Sequence, residues 1–320
     1  MGKYTSIGGQ ALIEGILMKS PEKTALCVRL PDGSIDTSYM EEKRLSQKSK
    51  FFRLPIIRGV VGFVESMLQG YKALMISADK SGFADLEEEA DKKEDNKDNN
   101  ALLNVVMVIG AVLGVLLAVV LFMYLPRLCV SGIEWVAKTN ITSPILRSGI
   151  EQFIKLAVFV GYVWAVSFMK DIKRVFMYHG AEHKTIFCYE KGLELNVENV
   201  RIQKRFHPRC GTSFMILMIL ISVIFSTLVQ IIFPGVYTVK WLWVVAKILM
   251  VPLICGVGYE VLKICGRYDN VITRIISAPG MWLQRLTTKE PEDSMIEIAI
   301  AALKACEPEV PDVERNNDNI

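Results

Sequence analysis

Long apolar runs alternate with mixed polar stretches along this chain of 320 residues, and the runs define its elements. Two of them, 99–126 and 210–239, hold no charged residue over 28 and 30 positions, more than the roughly 20 a helix needs to cross a hydrocarbon core. With two less pure runs they predict four spans, at 103–125, 150–169, 214–233 and 241–262. Lys155 in the second, and Lys247 and Glu260 in the fourth, are read as snorkelling near span ends. A different pattern fills 55–78: Arg58, Glu65, Lys72 and Asp79 recur every seven residues in apolar surroundings, a charged stripe that drifts only ~20° per heptad on a helix. This predicts an amphipathic helix that is interfacial or re-entrant.

Residues 24–30 and 34–39 read as two short strands around Pro31-Asp32-Gly33, a turn signal. The glycine-rich strip 7–15 lacks the Lys-Ser/Thr ending of a phosphate loop and reads as a tight turn, with Glu14 a candidate because it sits among those glycines. Past the last span, 266–289 is amphipathic with a break at Pro279-Gly280. Ser294-x-x-Glu297 then reads as a capping box for a helix with Ile296, Ile300 and Leu303 on one face. The pattern as a whole predicts a mainly α, polytopic membrane protein with about four transmembrane helices, a small N-terminal β-hairpin and cytoplasmic amphipathic helices. Its parts are a Gly-rich strip and hairpin (1–52), an interfacial or re-entrant helix (53–80), an acidic linker (81–100), a first transmembrane pair (101–169), a His/Glu/Cys loop (170–212), a second transmembrane pair (213–262) and an amphipathic C-terminal segment (263–320).

Composition agrees with a bilayer protein: 51% hydrophobic and 22% charged residues with a mean hydropathy of +0.32. Net charge is only +3, which supplies no bulk basic field for nucleic acid. The seven cysteines are scattered without CxxC spacing, so no disulfide framework is read, and the first residues lack the apolar core of a secretory signal. Charge placement sets orientation. Lys and Arg number fifteen in 1–98, nine in 170–209 and seven from 263 onward, against three in 126–149 and one in 234–240. By the positive-inside rule both termini and the middle loop face the cytoplasm. Residues 85–98 hold eleven charges in fourteen positions and read as a solvated linker. Gly110-x-x-x-Gly114 hints at close helix packing, within the chain or in an oligomer.

The chemistry collects in the middle loop. The three histidines, His179, His183 and His207, all fall there. His179 and His183 are four apart, on one face of a helix, and Glu182 completes His-x-x-Glu-His, an order in which two imidazoles bind zinc and the carboxylate is the general base. A third ligand is open between His207, Glu190 and Cys210. Four protein ligands including Cys210 would close a structural tetrahedron, whereas three leave a position for chemistry. Gly180 weakens the helical propensity of that turn. Lys170, Lys173 and Arg174 read as anchors at anionic headgroups.

The segments 7–15 (IGGQALIEG), 178–190 (YHGAEHKTIFCYE), 206–214 (FHPRCGTSF) and 279–291 (PGMWLQRLTTKEP), with Pro31-Asp32-Gly33, Arg58-Gly59-Val60 and Glu198-Asn199-Val200, together resemble the YqhQ-like bacterial membrane proteins, a domain of unknown function described as predicted metal-dependent enzymes. The resemblance covers nearly the whole chain outside the acidic linker and the tail. It implies a bacterial plasma-membrane location and agrees with a divalent metal, zinc by preference, at His179, His183 and His207. The reading that follows is a metal-dependent enzyme with a hydrolase-like site at the cytoplasmic membrane face, acting on a lipid-linked or membrane-proximal substrate. The alternatives are a non-catalytic scaffold whose metal, bound with Cys210, staples the loop, and a transporter supported only by Lys247, Glu260 and Pro252.

Overall fold

The computed structural model describes residues 5, 7–40, 49–82, 109–110, 112–268 and 270–307. The acidic stretch 85–98, the beginning of the first predicted span and the tail past 307 lie outside the described residues. The chain divides into two compact units, each assembled from separated segments.

The first unit is built on four antiparallel strands in the order β1 (Gly8–Leu12), β2 (Gly15–Lys19), β3 (Thr24–Arg29) and β4 (Ile35–Tyr39). The predicted hairpin is β3–β4: Gly33 takes φ +85° in its turn, and Leu30 N–H donates to the Ser34 carbonyl at 2.9 Å. The sheet goes beyond that expectation, because the glycine-rich strip is itself a hairpin and not merely a turn. Gly9 pairs with Met18 and Leu12 with Gly15, closed through Ile13 and Glu14, the latter at φ 49°. Glycine lowers strand propensity, but Gly15 is required: a Cβ there would lie 2.7 Å from the Cys27 carbonyl.

Helix α1 (Ile57–Lys80) presents small residues to the sheet, with Gly70, Ala73 and Ser77 buried and Gln10 filling the space over Gly70. Its opposite face exposes Met67, Leu68, Tyr71, Leu74 and Met75. Arg58, in the predicted charged stripe, donates from Nε to Glu260 at 2.6 Å, so Glu260 is paired rather than snorkelling.

Two further helices complete the core of this unit. Helix α4 (Lys170–Glu190) carries the His-x-x-Glu-His sequence, and α10 (Asp293–Cys306) packs against it and the sheet. Met295, Ile296, Ile298, Leu303 and Cys306 of α10 are at most 1% exposed, each large aliphatic contributing about 1.5–3 kcal/mol by burial. The helix itself was legible, but its capping box does not form. Glu292 is the N-cap without a side-chain bond, and Glu297 instead reaches Arg29 at 3.5 Å. Between α4 and α10 run the short α5 (Val197–Arg201) and, beyond the spans, α9 (Val271–Thr287), closed at its start by a reciprocal Asn270–Thr273 capping box.

Among the described residues four helices are long and apolar enough to cross a membrane: α2 (Val112–Ala137), α3 (Pro144–Val166), α6 (Gly211–Ile232) and α8 (Lys240–Arg267). A short α7 (Pro234–Thr238) joins the last two. The second unit holds α2, most of α3 and the adjoining parts of α6 and α8. Helix α2 does not stop at Pro126 as predicted. Pro126 has no N–H, and a π turn at Val120–Tyr124 absorbs the missing bond, with Leu125 N–H reaching the Val120 carbonyl, so the helix runs on to Ala137. A Cβ at Gly110 or Gly114 would meet nothing within 4 Å among the described residues.

Candidate metal centre

Helix α4 is unbroken through Gly180, as the His179–His183 spacing requires, and the glycine has a packing reason. The Lys289 carbonyl lies 2.0 Å from where a Cβ would stand, and Lys289 N–H donates back to the Phe176 carbonyl at 2.8 Å. The segment after α9 thus docks onto the backbone of α4. His179 and His183 follow as i and i+4 neighbours, their rings 4.4 Å apart between centroids.

Each of these imidazoles is aimed by its Nδ1. That of His179 lies 2.8 Å from the Thr287 carbonyl and that of His183 lies 2.5 Å from the Arg205 carbonyl. A carbonyl can only accept, so both Nδ1 atoms donate, and in each ring Nε2 is the nitrogen left to face Cys210. Cys210 meets them. Its Sγ lies 3.1 Å from His179 Nε2, and ligand atoms of His179, His183 and Cys210 all fall within 4.8 Å of one another. Burial raises the thiol's proton affinity, but hydrogen bonding and charge from His183 and bonds from Thr212 outweigh it and hold Cys210 below the ordinary thiol range. Two imidazole Nε2 atoms converging on a thiol biased toward thiolate form a donor set that suits zinc.

His207 is a neighbour of this group, not part of it. Its ring centroid is 5.7 Å from that of His183. Arg209 N–H donates to His207 Nδ1 at 3.3 Å, which fixes the lone pair there and leaves the proton on Nε2, facing Glu190 at 3.7 Å. Burial pushes His207 down to about 4, so that contact is not an ion pair near neutral pH. Gln284 clamps the same residue, accepting from His207 N–H and donating to its carbonyl, both at 2.7 Å.

Glu182 is buried beside the cluster, where desolvation pushes its carboxyl up to about 8, His179 pulling the other way. Strand β1 covers it: a Cβ at Gly9 would come within 2.9 Å of the Glu182 carboxylate, and the Gly9 backbone donates to it. The other two sequence candidates stand apart. Glu190 accepts from Thr5 N–H at 3.3 Å and pairs with Arg209. Glu14 accepts from Arg174 at 2.5 and 2.7 Å and from the Tyr178 hydroxyl at 3.0 Å, tying the β1–β2 turn to α4. Arg174, read from sequence as a headgroup anchor, is engaged there. The pattern did not single out Gln284 or Thr287, because a glutamine and a backbone carbonyl carry no spacing signature; Trp282-Leu283-Gln284-Arg285 was visible only as a resembling segment.

The profile of a family described as protein of unknown function, DUF1385, matches residues 54–309. The chain is also 33% identical over 299 residues, 92% of its length and 89% of the relative's, to the uncharacterized protein YqhQ of Bacillus subtilis (strain 168). No solved structure matches it.

Proposed function

The chain belongs to the DUF1385 family of proteins of unknown function, and from that starting point we propose that it is a membrane-bound metal-dependent enzyme of hydrolase type, with its site at the cytoplasmic face. The observation that carries the reading is the convergence of His179, His183 and Cys210 with both Nδ1 atoms tied to backbone carbonyls. Three protein donors match the number that catalytic zinc sites use. A zinc-class ion bound there would supply Lewis acidity toward a carbonyl or phosphoryl oxygen. Glu182, adjacent in sequence to His183 and held by Gly9, is the group placed to hold or move a proton at its carboxylate. Thr287 and Arg205 orient the two imidazoles through their carbonyls, and Gln284 keeps His207 turned to Arg209.

The cytoplasmic placement rests on the distribution of Lys and Arg along the chain. Proximity to the bilayer rests on connectivity: Cys210 immediately precedes Gly211, the first residue of the span α6. A substrate reaching this site would therefore be lipid-linked or presented at the membrane surface.

A structural metal is the second reading, favoured by burial, since His179, Glu182, His183 and His207 are all 9% exposed or less. Cobalt-loaded, full-length protein separates the two. The catalytic reading expects about one ion per chain, loss of it in His179→Ala and Cys210→Ala, retention in His207→Ala, and a visible spectrum that shifts when acetohydroxamate is added. A spectrum blind to acetohydroxamate, with metal lost in His207→Ala, would establish a closed four-ligand staple. Absence of bound metal from wild-type protein that has been offered zinc and cobalt would refute both.

A further inference from the structure

The second unit contains a polar centre to which all four of its long helices contribute. In α3, Ser148, Glu151, Gln152 and Lys155 follow one another at helical spacing, along one side of the helix. Glu151 Oε1 is shared by Arg127 Nε of α2 at 3.4 Å and Lys247 Nζ of α8 at 3.8 Å. Lys155 lies in the same field, half-buried and within no ion pair among the described residues. Gln230 of α6 donates from Nε2 to Ser148 at 2.8 Å. A further pair in this unit, Arg147 with Glu134 at 3.1 Å, is already balanced.

These residues run from one end of the helices to about their middle. Glu151 is six residues inside Ile145 and Lys247 six inside Trp241, about 9 Å along each axis at 1.5 Å per residue, while Lys155 and Arg127 are ten residues in, about 15 Å. Two imbalances remain. Among the described residues three cations face a single carboxylate, and the amide oxygens of Gln152 and Gln230, side chains of residues only 6% and 5% exposed, have no hydrogen-bond partner. Uncompensated charge and unpaired amides are costly in a low-dielectric bundle, and ionisable residues inside spans characteristically mark a bound or moving ligand. A ligand with an anionic oxygen cluster and hydroxyl donors removes both imbalances together.

We infer that Arg127, Lys155 and Lys247, with Gln152 and Gln230, form a binding site for a phosphate group, supplied either by an anionic phospholipid headgroup or by a free phosphate. The cations face the phosphate oxygens and the two amide oxygens accept from hydroxyls, which a glycerol headgroup or a protonated phosphate carries. Arginine and lysine divide the work by geometry, the guanidinium fixing direction and the ammonium groups adding charge. This site uses none of the residues assigned to the metal centre.

The test uses purified full-length protein in two arms. In nanodiscs of phosphatidylcholine doped with phosphatidylglycerol, native mass spectrometry measures lipid retained after detergent exchange. In phosphatidylcholine alone, thermal unfolding is followed as inorganic phosphate is added. Wild type is expected to retain phosphatidylglycerol, or to gain stability with phosphate, and the responding arm names the source. Lys155→Gln with Lys247→Gln should weaken the response at least tenfold; Lys155→Gln alone, which breaks no ion pair, should weaken it about threefold and guards against loss of fold in the double variant. Lys138→Gln, at the end of α2, should change nothing. Response in neither arm, or equal response in wild type and Lys155→Gln, would overturn the site and leave the charges as helix-packing contacts only.

Discussion

Three glycines carry much of the candidate metal centre's geometry at the scale of single residues. Gly180 lets the Lys289 carbonyl reach the α4 backbone, Gly9 lets β1 close over Glu182, and Gly280 lies where a Cβ would stand 2.5 Å from Ser213, a partner of Gln284. Gly180→Ala is therefore expected to destabilise the protein, since backbone cannot retreat from a 2.0 Å approach. Overpacking of this kind costs about 1–3 kcal/mol, measurable as a lowered thermal midpoint accompanied by loss of bound metal. Glu14 gives a pH-dependent counterpart. Desolvation raises its carboxyl, but the bonds and charge of Arg174 prevail and its folded pKa lies below the ordinary 4.5. A depressed carboxylate contributes stability that is complete above the unfolded pKa and is lost as pH falls through the folded value. The wild type should thus lose part of its thermal-midpoint advantage over Glu14→Gln as pH drops from 5 toward 3. A constant difference between the two across that range would show that the Glu14–Arg174 pair contributes nothing. The half-exposed Arg174 keeps this effect modest.

The long apolar helices and α10 were legible because burial by lipid or by a core leaves a strong periodic imprint. The His179–His183 pair was legible for the same reason, a spacing of four on one face. Less was visible where partners decide the outcome. The β1–β2 hairpin hid behind glycines whose purpose is tertiary, and the choice between Cys210 and His207 turns on an Arg209 backbone N–H that no spacing encodes. Helix α9 shows both sides of this limit. Its inner face places Gln284 and Thr287 beside the His179–His183–Cys210 cluster, while Val271, Ile272, Ile275 and Trp282 are exposed on the other, Trp282 by 71%. The amphipathic pattern was plain, but not which groups the inner face would hold. Helix α9 begins at Val271, just after the span α8 ends at Arg267, and its outward face is apolar with Arg274 and Arg285 also exposed, the composition of a helix lying at the headgroup level. With the other four tryptophans replaced by phenylalanine, Trp282 fluorescence should be quenched strongly by lipids brominated near the glycerol and weakly by those brominated near the chain ends. Absence of quenching by either would place the helix away from the bilayer.

At the scale of the molecule, the first unit is stitched from three stretches of chain and the second from two. The sheet near the N-terminus cannot complete its core until α10, almost 300 residues later, has been made, so this unit depends on long-range contacts that form late. Orientation is testable at the same scale. Alkaline phosphatase fused after Asn140, between α2 and α3, should be active, and fused after Glu307 inactive, as the Lys and Arg asymmetry requires. The reverse pattern would turn the candidate metal centre to the other compartment.

The position of Cys210 has a mechanical meaning. A sulfur donor one residue ahead of a 22-residue apolar helix rides on whatever depth that helix adopts in the bilayer. Thinner or thicker lipid shifts or tilts such a helix at small energetic cost, and a displacement of one residue, about 1.5 Å, is comparable with the tolerance of a coordination sphere. His179 and His183 are tied instead to carbonyls outside that helix. On the proposed reading, metal affinity should therefore vary with acyl-chain length, and the candidate centre would act as a gauge of membrane thickness.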